Sequence, residues 1–128
     1  MTAPFRAALL LAAGGALGTL ARYGVSRLMP APAGHLPLGT LMVNLAGSFL
    51  LGLVLGWTVP HHPAAGDVRL ALAVGFCGAF TTMSTFAFDT VSMAQHHAWG
   101  GAGLYVVASV LGSIGAVLVG LLVGTRFA

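Results

Sequence analysis

The chain has 128 residues, of which 58% are hydrophobic and only 5% charged: five arginines, two aspartates, no lysine and no glutamate. A soluble domain carries about a quarter charged residues, so this composition cannot cover a water-facing surface and belongs to an integral membrane protein. The net charge of +3 is spread over isolated arginines, without a basic run or interleaved aromatics, which excludes the footprint of a nucleic-acid binder. Cys77 is the single cysteine and lies in an apolar run, so no disulfide framework can form within one chain. No nucleophile–base pair or metal-binding constellation supports an enzyme.

A membrane span needs roughly 20 mostly apolar residues, and four segments reach that length. They cover about residues 5–28, 38–59, 69–95 and 102–125, within a single membrane domain over 1–128. The opening run, Arg6 followed by LLLAAGGALG, imitates a signal peptide; with no soluble domain after it, it reads as the first span. Breaker-rich stretches PAPAGHLP, PHHPAAGD and QHHAWGG connect the spans. With a cytoplasmic N-terminus, Arg6, Arg69 and Arg126 fall inside, and Arg22 and Arg27 outside. Arginine asymmetry normally sets topology, and here it is nearly absent. Either Arg22 sits within the membrane and does not count, or the chain inserts in both orientations as an antiparallel pair.

Small residues recur at helical spacing: Gly14 and Gly18 in the first span, Gly52 and Gly56 in the second, Gly120 and Gly124 in the fourth. Any one pair is ordinary membrane-helix glycine; together they predict tightly packed helices. Four helices cannot surround a wide pore, so a transport path would involve a second subunit.

Polar residues form two tracks. Thr40, Asn44 and Ser48 share one face of the second span, and Tyr105, Ser109 and Ser113 one face of the fourth. Polar groups facing hydrocarbon are costly, so both tracks face protein or water, as interhelical hydrogen bonds or as a conduction path. No carboxylate lies mid-span, and a proton-coupled cation exporter usually needs one. Asp89, at the end of the third apolar run, is the only candidate, and no role is assigned to it. Within the third span, GAFTTMSTFAFD places Thr81, Thr82, Ser84 and Thr85 among phenylalanines. Gly75, Gly78 and these hydroxyls weaken a helix, so the span is expected to be broken near its middle. Freed carbonyls can hold a cation, while hydroxyls, N–H groups and phenyl edges can hold an anion. A donor-rich site without a fixed countercharge suits a small, hard anion.

The motifs GGALGTLARY (14–23), GTLMVNLAGSFLLG (39–52) and GFCGAFTTMSTFAFD (75–89) together resemble those of the small fluoride channels called Fluc or CrcB, over nearly the whole chain. The resemblance implies an antiparallel, dual-topology homodimer with two fluoride pathways and a central structural sodium ion. It further implies a multi-pass protein of the cell (inner or plasma) membrane that exports fluoride passively and relieves its toxicity. By the same resemblance Asn44 is the pore asparagine, Phe86 the second of two pore phenylalanines, and Tyr105, Ser109 and Ser113 the polar track of the fourth helix. Thr40 lies below Asn44, Ser84 and Thr85 belong to the same pathway, and Arg22 draws anions toward its mouth. Backbone carbonyls of Gly78 and Thr81 would hold the sodium. Met83 departs from the family pattern: it stands where the first pore phenylalanine is expected, with a thioether in place of a ring edge.

The pairs His61–His62 and His96–His97 lack the spacing of a helix-borne metal site and read as solvated loop residues. Cys77 reads as a small buried residue, and Trp57 and Trp99 as interfacial anchors. A small four-helix multidrug or cation exporter is the alternative function, disfavoured by the missing mid-span acid. A non-transporting helical scaffold is disfavoured by the two polar tracks.

Overall fold

Proline close to the start of each of the first two helices marks where they begin, because its fixed φ suits a first turn that needs no N–H donor. In the computed structural model, which describes residues 2–58 and 65–128, α1 runs Ala3–Leu28 with Pro4 in its first turn, and α2 runs Leu38–Trp57 after Pro37. The third span comes in two pieces. Ala65–Val68, Arg69–Cys77 and Gly78–Phe80 follow one another as a single rod, α3, whose central nine residues are wound as a π-helix. After Thr81 and Thr82 the chain resumes as α4, Met83–Gln95. The last helix, α5, is Trp99–Gly124. Among the described residues four apolar stretches are thus long enough to cross a bilayer: Ala3–Leu28, Leu38–Trp57, Ala65–Gln95 and Trp99–Gly124. The protein is an all-α, multi-pass membrane protein with a broken third span.

The break does not fall at the glycines. Gly75 and Gly78 keep helical backbone, and the extended residues are Thr81 (φ −75°, ψ 157°) and Thr82 (φ −149°, ψ 111°). Gly75 serves packing instead: a Cβ there would lie 3.2 Å from the Gly14 Cα. Helices in lipid adhere by close backbone contact, since the apolar solvent supplies no hydrophobic drive. α1 meets α3 through Gly14 and Gly18, whose missing Cβ positions are occupied by the Ala71 and Phe76 carbonyl oxygens. α2 and α5 form the most extensive contact, with Gly52 and Gly56 facing Gly120 and Gly124.

Charges are handled at the helix ends. Arg69 donates through Nε to the Thr58 Oγ1 at 2.9 Å and through Nη2 to the Thr58 and Leu55 carbonyls, placing a cation on the C-terminus of α2, where the helix dipole is negative. Arg6 pairs with Asp67 at the exposed surface, joining the starts of α1 and α3. In the α1–α2 loop Gly34 has φ 78°, and a Cβ there would collide with the His96 side chain. His96 and His97 are exposed at the end of α4, whereas the His61–His62 pair lies outside the described residues. Cys77 is buried.

Candidate ion pathway around the helix break

A broken helix in a membrane must satisfy its released backbone groups with something polar. Asn44, projecting from α2, does so with both ends of its amide. Its Oδ1 accepts from the Thr82 N–H at 2.8 Å and its Nδ2 donates to the Thr82 carbonyl at 3.2 Å. The backbone N–H can face only an acceptor, so this pair fixes which way the amide is turned. Nδ2 carries two hydrogens, and one remains for another partner. Thr82 then caps α4 with its hydroxyl: Oγ1 accepts from the Thr85 N–H at 3.2 Å, lies 3.0 Å from the Thr85 Oγ1 and 3.3 Å from the Ser84 Oγ. The cluster between the phenylalanines is therefore a helix N-cap built from hydroxyls.

Two cavities flank this break and share Thr82 as a wall. The first, of about 330 Å³, is lined by Asn44, Ser48, Thr81, Met83, Phe86, Ser109 and Ser113 among others. The second, of about 360 Å³, is lined by Thr19, Arg22, Tyr23, Ser26, Thr40 and Thr85. Among the described residues no carboxylate lines either one. Among the described residues Arg22 forms no ion pair, so its guanidinium leaves the second cavity electropositive. In the first, Ser109 is 5% exposed and its Oγ has no hydrogen-bond partner among the described residues. A buried hydroxyl without a partner forfeits about 1–3 kcal/mol of solvation, so such a group in a protein calls for an explanation.

The two polar tracks do not run on unbroken. Their outer members meet at Asp89, whose Oδ2 accepts from the Thr40 Oγ1 at 2.8 Å and from the Tyr105 hydroxyl at 3.4 Å. Tyr105 is fully buried, and its ring lies 5.2 Å from that of Phe86 at a 44° tilt, in a small core with Met93 and Ala102. Phe86 is thereby held firmly, with part of its ring on the first cavity. Asn44 and Ser48 from α2 and Ser109 and Ser113 from α5 converge there, with Phe86 between. Met83 and Gly78 line the same cavity on its outer side, where both are exposed, Met83 at 74%.

Thr82 and Asp89 were the residues that sequence reasoning left without a task. Thr82 had a signal in the spacing of its hydroxyl three residues before Thr85, the pattern of an N-cap. Asp89 had none, because its partners come from α2 and α5, 49 and 16 residues away.

The family model for "CrcB-like protein, Camphor Resistance (CrcB)" matches residues 9–121. Curated relatives include a "Fluoride-specific ion channel FluC" of Acidobacterium capsulatum, 44% identical over 92% of this chain and 95% of the relative. Others of the same name come from Thermococcus gammatolerans, 42% identical over 93% and 96%, and Gluconobacter oxydans, 40% identical over 91% and 83%. With the match running through all four spans and through the break itself, the chain belongs to the CrcB family.

Proposed function

We infer that this protein is a fluoride-selective channel, carrying fluoride passively out of the cell and so relieving its toxicity. The relatives' names give the ion, and the unpartnered Ser109 hydroxyl is the single observation in the molecule that supports it best. It sits in a carboxylate-free cavity together with the remaining Asn44 amide hydrogen and the Phe86 ring. Neutral donors can replace the hydration shell of a small anion without trapping it as a fixed cation would. Arg22 in the neighbouring cavity concentrates anions near the break.

The working unit in this proposal is an antiparallel homodimer. One chain leaves the first cavity open along Gly78 and Met83, and a second copy would close it. Insertion in both orientations is favoured by the near-balance of arginines, three against two. A structural sodium ion at the centre fits the backbone there. The Thr82 N–H goes to Asn44 and the Thr85 N–H to the Thr82 hydroxyl, so the carbonyls of Gly78 and Thr81 lose their helical donors. Hard, neutral oxygens without a carboxylate suit a singly charged ion better than calcium or magnesium. The ion would neutralise carbonyl dipoles turned toward one another at the dimer centre.

Efflux from liposomes containing the purified protein tests the function: rapid fluoride release, hardly any chloride release and no need for a proton gradient are expected. Equal chloride efflux, or dependence on a proton gradient, removes the assignment. C-terminal tags accessible from both sides of the membrane in comparable amounts are expected of dual topology, and one-sided labelling with full activity contradicts it. Sodium should raise the thermal stability of the dimer relative to a bulky organic cation.

A further inference from the structure

We propose that Asn44 is a positioning residue that keeps the third span broken, with the two ends of its amide serving different tasks. In an uninterrupted helix the Thr82 N–H would donate to the Gly78 carbonyl, four residues back. It donates instead to the Asn44 Oδ1 at 2.8 Å, across 38 residues of sequence. Nothing in the local sequence forbids the helical alternative: there is no proline between Gly78 and Phe86, and Gly78 itself is helical. The acceptor end of Asn44 thus competes with Gly78 for one donor and wins, leaving Thr81 and Thr82 extended. That diversion creates the first cavity beside Thr82 and releases the Gly78 carbonyl in the same stroke. The donor end is then held with one hydrogen on the Thr82 carbonyl and the other available to the cavity. The donor half of this assignment rests on the fluoride reading above, while the acceptor half rests on the backbone geometry alone.

Asn44→Asp and Asn44→Ala separate the two halves. A carboxylate still accepts from the Thr82 N–H but has nothing to donate; alanine does neither. The measurement is the carbon chemical shifts of Thr81 and Thr82 in threonine-labelled dimer, which distinguish extended from helical backbone, alongside fluoride efflux. The parent and Asn44→Asp should both give extended Thr81 and Thr82, with efflux lost only in Asn44→Asp. Asn44→Ala should give helical or multiple signals at both threonines. Extended, single signals in Asn44→Ala overturn the positioning role, and helical signals in Asn44→Asp overturn the claim that the acceptor end alone suffices for it. Should Asn44→Ala not assemble, hydrogen exchange at the Thr82 amide of the parent decides: protection like that of the flanking helices supports the bond, and exchange as fast as a loop amide overturns it. Efflux at the parent's rate from Asn44→Asp with extended threonines would sink the donor half alone.

Discussion

The α2–α5 seam and the α3–α4 break meet the same demand, burial of backbone in a solvent that offers no hydrogen bonds, in opposite ways. Along the seam both elements are continuous helices, whose backbone bonds close within each helix away from its ends, so side chains are dispensable and glycine lets the two rods touch. At the break the helix bonds are given up, and side chains from elsewhere must replace them: Asn44 for Thr82, and the Thr82 hydroxyl for Thr85. The seam is tightly packed and chemically silent. The break exposes donors and acceptors to a cavity, and it is there that chemistry with an ion can occur. A membrane protein of this size separates its scaffold from its site by choosing where helical bonds are kept.

The largest loss should come from crowding the seam. A Cβ at Gly52 falls on the Val117 carbonyl oxygen and 2.9 Å from the Leu121 nitrogen, both backbone atoms that cannot swing aside. Overpacking costs about 1–3 kcal/mol even where side chains can shift, so Gly52→Leu should abolish recovery of monodisperse protein on size exclusion. Gly103→Ala, on the same α5 helix at a position where a Cβ meets nothing within 4 Å, should leave the yield unchanged.

Changes at the break should instead separate flux from folding. Phe86→Ile removes a ring that packs on Tyr105 at 5.2 Å while keeping apolar bulk. Loss of the aromatic contact is worth about 0.5–1.5 kcal/mol, so the fold should survive at lower melting temperature. Fluoride efflux should fall by roughly tenfold or more, the equivalent of about 1.4 kcal/mol at the barrier. Parent-like conduction would assign Phe86 to packing alone.

Ser109→Ala is the sharper probe, because the two regions' rules give it opposite signs. As a packing residue, Ser109 would stabilise the protein; as an unpartnered buried hydroxyl it does not. Melting temperature should therefore hold or rise slightly, within about 1 kcal/mol, while efflux slows. A lower melting temperature with unchanged efflux would reverse the assignment. The smallest effect is expected from Met83→Phe. Met83 is 74% exposed within one chain, so a ring there meets no internal obstruction. Efflux should persist, with at most an altered rate, and loss of efflux without loss of folded protein would show that the thioether matters.

Much of the architecture is legible in the residues themselves. Apolar runs, breakers and paired glycines mark the helices and their sticky faces, because 3.6-residue periodicity projects directly onto a helix surface. The polar tracks were equally visible, yet their division was not. Thr40 and Asn44 share a face of α2, but Thr40 bonds to Asp89 and Asn44 to Thr82. Periodicity names the face, whereas the partner depends on what another helix brings to it.

The amino-acid sequence by itself determined that the chain lives in a membrane, that it crosses four times, and that the third crossing is weak near TTMST. These follow from composition and local propensity, which act within a few residues. Only the tertiary structure decided where that crossing parts. Gly75 and Gly78, the weakest helix formers in the stretch, remain helical, Gly75 within the close contact to α1. Thr81 and Thr82 open instead, because Asn44 stands opposite them and offers the Thr82 peptide both an acceptor and a donor. A helix in lipid breaks where a partner for its backbone is waiting, and that partner is supplied by the packing of α2.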